Sequence, residues 1–201
     1  LRAIPVLAAG RAARQTLDCV NLMGISIDNL TLQGTTEAIV RRAFEDRISQ
    51  VCFVNADCMN VAFRNDEYRK LLGQADLVLA DGIGIRLASA LLGQHIRENV
   101  NGTDLLPSLC RLLEEHNAGV FLLGGLPGVA ERTAERLQSR FPKLPVCGYR
   151  DGYFSEEEEP NVVEAIRQSG ARVLFVAFGA PRQDLWIAQH AEALGVNVVL
   201  G

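Results

Sequence analysis

No apolar run in this sequence approaches the ~18–20 residues needed to cross a bilayer. The apolar segment at 4–9 is far too short, and it lacks the full apolar region of a signal peptide. Cysteine is scarce and odd in number: Cys19, Cys52, Cys58, Cys110 and Cys147, with no CxxC pair. That count argues against a disulfide framework or a zinc site. It fits free thiols in a reducing compartment, with Cys52 and Cys110 among apolar neighbours. No block of Lys or Arg forms a phosphate-binding stripe; Arg2, Arg11 and Arg14 make only a thin cluster. With a net charge of −4, the chain gives no reason to expect a nucleic-acid partner or attraction to an anionic membrane. The phosphate loop GxxxxGK with Ser or Thr is missing, as is the nucleophile elbow GxSxG. No internal repeat or low-complexity linker occurs.

What is present suits a single globular unit. The chain has 201 residues, 48% of them hydrophobic and 22% charged, enough for a sizeable core. It begins with Leu1 rather than Met, as a processed or excised piece would. Residues 1–20 show no clean period and read as a loose leader or a short surface helix; 21–201 reads as one domain. Apolar β-forming runs at 22–27, 50–54, 77–80, 120–123, 146–148, 172–178 and 196–200 predict strands. Helical spacing predicts helices over 35–46, 57–72, 83–92, 104–117, 129–140, 161–168 and 183–194. On the first, Ile39, Val40, Ala43 and Phe44 share a side; on the second, Val61, Phe63, Tyr68 and Leu72 are apolar. Asn161 and Glu164 have capping-box spacing, and the acidic run 156–159 reads as a solvated helix start. Strands alternating with helices imply a Rossmann-like α/β fold, a mostly parallel sheet with helices on both faces. There is room for a small helical or β lobe.

Ligands of such sheets bind at the carboxyl ends of the strands, and the turns there carry polar or glycine-rich groups. They are Asn55-Ala56-Asp57, Asp81-Gly82-Ile83-Gly84, Gly124-Gly125-Leu126-Pro127-Gly128 and Gly179-Ala180-Pro181-Arg182-Gln183-Asp184. The Gly124 to Gly128 turn has two readings: a helix N-terminus that receives phosphate, or an ordinary strand-to-helix turn. Asp81 also has two. A carboxylate at a strand end facing a cleft is a general base; Asp is equally a favoured helix N-cap. The Gly82-Ile83-Gly84 match to the dinucleotide fingerprint breaks at Leu87, which disfavours an NAD-dependent oxidoreductase. His95, His116 and His190 have no second ligand at helical spacing, so no metal site is expected. Trp186 reads as packing rather than a stacking platform.

Taken in order, these turns resemble the WecG/TagA/CpsF glycosyltransferases. The stretches that carry the resemblance are Leu22-Met23-Gly24-Ile25, Phe53-Val54-Asn55-Ala56-Asp57, Ala80-Asp81-Gly82-Ile83-Gly84, Asn101-Gly102-Thr103-Asp104-Leu105, Phe121-Leu122-Leu123-Gly124-Gly125, Gly152-Tyr153-Phe154, and Phe178 through Asp184. The resemblance implies transfer of a sugar from a UDP-sugar donor to a polyprenyl-diphosphate-linked saccharide, in cell-wall or cell-surface polysaccharide synthesis. The sugar would be an N-acetylmannosamine type, its uronic acid, or a hexose. It implies inversion at the anomeric carbon, no metal and no cofactor, in keeping with the lack of an Asp-x-Asp pair. It implies Asp81 as the base, with Asn55 and Gln183 orienting sugar or acceptor groups. Substrate binding would fall to Gly82, Gly84, Arg97, Asp104, Gly124, Gly125, Gly179, Pro181 and Arg182. Where family members carry Arg three residues before the Gly of the G-x-D segment, this chain has Asn99, with Arg97 the nearest cation. The family continues beyond the last strand with a glycine-rich turn and a basic helical tail, and this chain stops at Gly201. That tail would give peripheral attachment to the inner face of the bacterial cell membrane. Surface it normally covers would favour a homodimer in its absence. The competing reading is a nucleotide-binding α/β module without catalysis.

Overall fold

The computed structural model describes residues 18–201. The leader reading, the 4–9 segment and the cluster of Arg2, Arg11 and Arg14 therefore lie outside the described residues. The chain opens with an antiparallel hairpin of β1 (Cys19–Leu22) and β2 (Ile25–Asp28). One strand was expected over 22–27. A two-residue loop divides it, Met23 at φ 50° and Gly24 at φ 82°, both left-handed. That geometry matches the right-handed twist of paired strands, and the Asn21 side chain accepts from the Gly24 N–H. Strand structure also begins inside the expected leader, at Cys19.

The elements that follow are α1 (Leu32–Arg42), β3 (Ser49–Val54), α2 (Ala56–Arg64), α3 (Asp66–Gln74), β4 (Leu77–Ala80), α4 (Ile83–Leu91) and α5 (Gly102–Glu115). Then come β5 (Val120–Gly124), α6 (Val129–Arg140), β6 (Val146–Arg150), α7 (Glu159–Gln168), β7 (Val173–Ala177), α8 (Arg182–His190), a short 3-10 turn and β8 (Val198–Leu200). The single helix expected over 57–72 is two. Asn65 holds extended backbone at the break, and its side chain accepts from the N–H groups of Glu67 and Tyr68 to start α3. The helix expected to begin at Asn161 begins earlier. The turn that leads into it is closed by Ser155 and Glu158: each side chain accepts the other's N–H. Phe44 and Phe63, expected on apolar faces, are exposed.

Strands β3 to β8 form one parallel sheet ordered β4-β3-β8-β7-β5-β6. Alternate side chains of each strand feed opposite faces, as a sheet covered on both sides requires. Val51, Leu79, Leu122, Val173 and Leu200 pack against α1, α5 and α6. Cys52, Val54, Val78 and Ala80 pack against α2, α3 and the hairpin, while Leu123, Leu174 and Val199 meet α7 and α8. Each fully buried Leu, Ile or Val contributes roughly 1.5–3 kcal/mol over its exposed state. Cys52 and Cys110 are buried and the cysteines are free thiols. Among the described residues no helix is long and apolar enough to cross a membrane. The chain order steps outward to one edge with β3 and β4, to the other with β5 and β6, and fills the centre last with β7 and β8. The reversal opens a crevice at the strands' carboxyl ends.

Candidate active site

That crevice holds a cavity of about 700 Å³. Its floor is made by the ends of β3, β5, β7 and β8, and its walls by the first turns of α5, α6 and α8. Of the residues singled out in the sequence, Asn55, Asp81, Asp104, Gly124, Gly125 and Gln183 line it. Gly82, Gly84, Arg97, Gly179, Pro181 and Arg182 are outside the lining, although Ala180, between two of them, is part of it.

Asp81 follows β4 and is partly buried. The cap position of α4 belongs to Gly82, which makes no side-chain cap, so the capping alternative for Asp81 is not what the backbone uses. Asn99 accepts the Gly82 N–H instead, and Val100 donates to the Ala80 carbonyl, so the segment before α5 braces the Asp81 turn. Among the described residues no hydrogen-bond donor meets the Asp81 carboxylate. Burial, then the nearby charge of Asp104, raises its pKa. Both causes favour a carboxyl that accepts a proton more readily than one in water.

Asn55 and Asp104 have local duties. The Asn55 oxygen caps α2 by accepting from the Cys58 N–H at 2.9 Å. Asn101 caps α5 by accepting from the Asp104 N–H, and its amide donates to the Asp104 carboxylate at 2.7 Å. Gln183 accepts from the Gly179 N–H at 2.9 Å, closing the turn before α8. For Asn55 and Gln183 the side-chain oxygen is occupied, and the amide N–H groups are those left to reach a ligand.

The glycines of the β5 turn are demanded by the fold. Gly124 sits at φ +128°, and a Cβ there would stand 2.4 Å from the Ala177 carbonyl oxygen of β7. The Gly125 N–H donates to that same carbonyl. The donors open to an anion at this turn therefore come from the first turn of α6, whose cap residue Gly128 offers no side-chain bond. Arg97 pairs with Asp18 at 3.1 Å, away from the cavity. Arg182 lies over the Phe178 ring at 5.0 Å. Among the described residues no Lys, Arg or His lines the cavity, and no three His, Cys, Asp or Glu gather as a metal cluster. Sequence reading left Asn101, Thr103 and Gly201 unassigned as lining residues. The first two sit in the stretch Asn101-Gly102-Thr103-Asp104, one of those that carry the family resemblance, and that was the available signal.

The family model for glycosyl transferases of the WecG/TagA/CpsF family matches residues 20–201. The chain belongs to that family. It is 33% identical over 140 residues to the N-acetylglucosaminyldiphosphoundecaprenol N-acetyl-beta-D-mannosaminyltransferase of Bacillus spizizenii, covering 70% of this chain and 54% of that protein. A Staphylococcus aureus protein of the same name is 29% identical over 185 residues, covering 90% of this chain and 72% of its own length. The aligned part thus spans between about half and three quarters of these relatives. The shared WecG/TagA/CpsF region holds the whole parallel sheet and every cavity residue described above.

Proposed function

We propose that this chain is the catalytic core of an inverting, metal-independent glycosyltransferase. It moves a sugar of N-acetylmannosamine type from a UDP donor to a polyprenyl-diphosphate-linked saccharide. The observation that carries the reading is Asp81: a partly buried carboxylate with raised pKa, unclaimed by a helix cap, at the mouth of a cavity large enough for a nucleotide-sugar. The names of the relatives support a diphosphoundecaprenol-linked acceptor and an N-acetylmannosaminyl donor group.

In the mechanism, Asp81 takes the proton from the acceptor hydroxyl as that oxygen attacks the anomeric carbon. The glycosyl–phosphate bond breaks on the opposite face and UDP departs with the bonding pair. The amide groups of Asn55 and Gln183 orient hydroxyls of the two sugars. With no cation among the described residues of the lining, the leaving diphosphate is met by N–H donors at the starts of α5 and α6. The membrane partner is read onto α4. Ile83, Leu87 and Leu91 repeat at i, i+4 and are 66%, 58% and 88% exposed. Residues 82–97 hold no acidic side chain, and the helix begins two residues after Asp81. Such a face suits the headgroup boundary of a bilayer, with the lipid-linked acceptor delivered beside the base. A panel of UDP-sugars with a short-chain lipid-linked acceptor tests the function. Transfer from UDP-N-acetylmannosamine that persists in EDTA is expected. UDP binding without transfer from any donor would favour the non-catalytic module.

A further inference from the structure

We propose that Asp184 is a positioning residue: buried beneath the cavity and held by Tyr68 and Gln50, it fixes the first turn of α8 so that Gln183 stands correctly at the cavity wall. The claim deepens the transferase reading, and its activity arm rests on that reading.

The start of α8 needs an anchor. Its cap residue, Pro181, provides no side-chain bond, and uncapped helix starts leave orphan N–H groups and fray. Gln183 faces the cavity. Asp184, next in the chain, turns the other way into the core and is 0% exposed. The Tyr68 hydroxyl on α3 donates to Asp184 Oδ2 at 2.9 Å. The Cys52 thiol on β3 stands near enough to act on the same carboxylate. Gln50, also on β3 and itself buried, donates to the Asp184 backbone carbonyl at 3.0 Å. One helical turn is thus tied to a neighbouring helix and to the sheet by buried polar groups.

Stability alone does not explain a carboxylate here. The groups that act on it are Tyr68 from α3 and Cys52 from β3, with Cys58 of α2 acting in turn on Tyr68; none is cationic. A buried acid without a cation is unfavourable compared with an apolar residue of similar size. Its second oxygen, Oδ1, has no hydrogen-bond partner among the described residues. That oxygen lies against Gly201 in the cavity lining: a Cβ there would be 2.8 Å from Oδ1 and 3.1 Å from Gln183 Cγ. Asp184, Gln183 and Gly201 therefore meet at one wall. With its oxygen held by Gly179, Gln183 presents its amide donors, and Asp184 sets the helix turn from which they project. Small misplacements of such groups carry large rate penalties.

The test is a double-mutant cycle on the full-length protein with a second, activity-free readout. Tyr68→Phe removes only the hydroxyl that holds Oδ2. It is expected to lower kcat about 10-fold with little change in KM for the UDP-sugar, and to lower it no further in a Gln183→Ala background. Equal losses in both backgrounds overturn the proposal. In parallel, the Gln183 side-chain amide is followed by ¹⁵N NMR, assigned by its absence in Gln183→Ala. Displacement of that resonance in Tyr68→Phe and in Asp184→Asn is expected, and a resonance unmoved in both overturns the proposal. If the wild type transfers no sugar, the transferase reading fails, and the amide resonance then decides the positioning claim alone.

Discussion

Replacing Asp184 by Asn changes how stability depends on pH, and the sign follows from the burial. Loss of hydration pushes the Asp184 carboxyl up to about 6, while bonds from Tyr68 and Cys52 pull it back only in part. A raised folded pKa means that the folded chain holds this proton more tightly than the unfolded one does. The resulting stability is complete below the unfolded carboxylate range, near pH 4. It is lost as pH rises through about 6. A rise of roughly two pH units corresponds to about 3 kcal/mol at 1.36 kcal/mol per unit. Asparagine cannot ionise, yet it keeps an acceptor for the Tyr68 hydroxyl. Urea unfolding of wild type and Asp184→Asn, followed by far-UV circular dichroism at steps from pH 4 to 7.5, measures the difference and cancels the other carboxylates. Relative to the variant, wild type should lose most of this, roughly 2.4 kcal/mol, across the window and then level off. A difference that stays constant with pH, or that moves in wild type's favour as pH rises, refutes the reasoning.

Gly124→Ala should lower unfolding stability by roughly 2 kcal/mol or more, since an L-residue at that backbone angle is strained and its Cβ meets the Ala177 carbonyl; urea midpoints measure it, and wild-type stability would mean β5 and β7 are not so closely held. Gly125→Val is strained for the same reason at φ +72°, so it is a test of folding rather than of phosphate binding. Leu87→Glu with Leu91→Glu should abolish sedimentation with zwitterionic phospholipid vesicles while leaving the fold intact, both side chains being exposed. Unchanged vesicle binding combined with loss of a dimer would assign the α4 face to a second copy of the chain.

The sheet was legible wherever the apolar pattern was local. Residues 77–80 and 129–140 match β4 and α6 end to end, because a buried parallel strand and an amphipathic helix announce themselves within their own length. The hairpin was not, since Met23 is no turn residue and only the pairing of β1 with β2 requires its left-handed backbone. The break at Asn65 was hidden for a related reason: apolar spacing runs through it, and the two side-chain bonds that divide the helix follow from conformation. At the site, the place of Asp81 in the cavity lining was legible from its position after a strand. Arg97 could not be excluded, because its partner Asp18 lies 79 positions away in sequence. Asp184 closes the stretch from Phe178 and yet carried no role, for nothing local reveals a side chain turned into the core. The missing cations are likewise a property of the assembled cavity: Arg182 is one residue from Gln183, but its guanidinium lies over Phe178.

The central claim, that Asp81 is the base of a glycosyl transfer, is met most directly by Asp81→Asn in the full-length protein. Turnover of UDP-N-acetylmannosamine with a lipid-linked acceptor is measured beside UDP affinity by calorimetry. A loss of turnover of roughly 10²–10⁴-fold is expected, the range for removing a general base, with UDP affinity changed little because the carboxylate serves the acceptor. Near-normal turnover in a folded Asp81→Asn protein would contradict it.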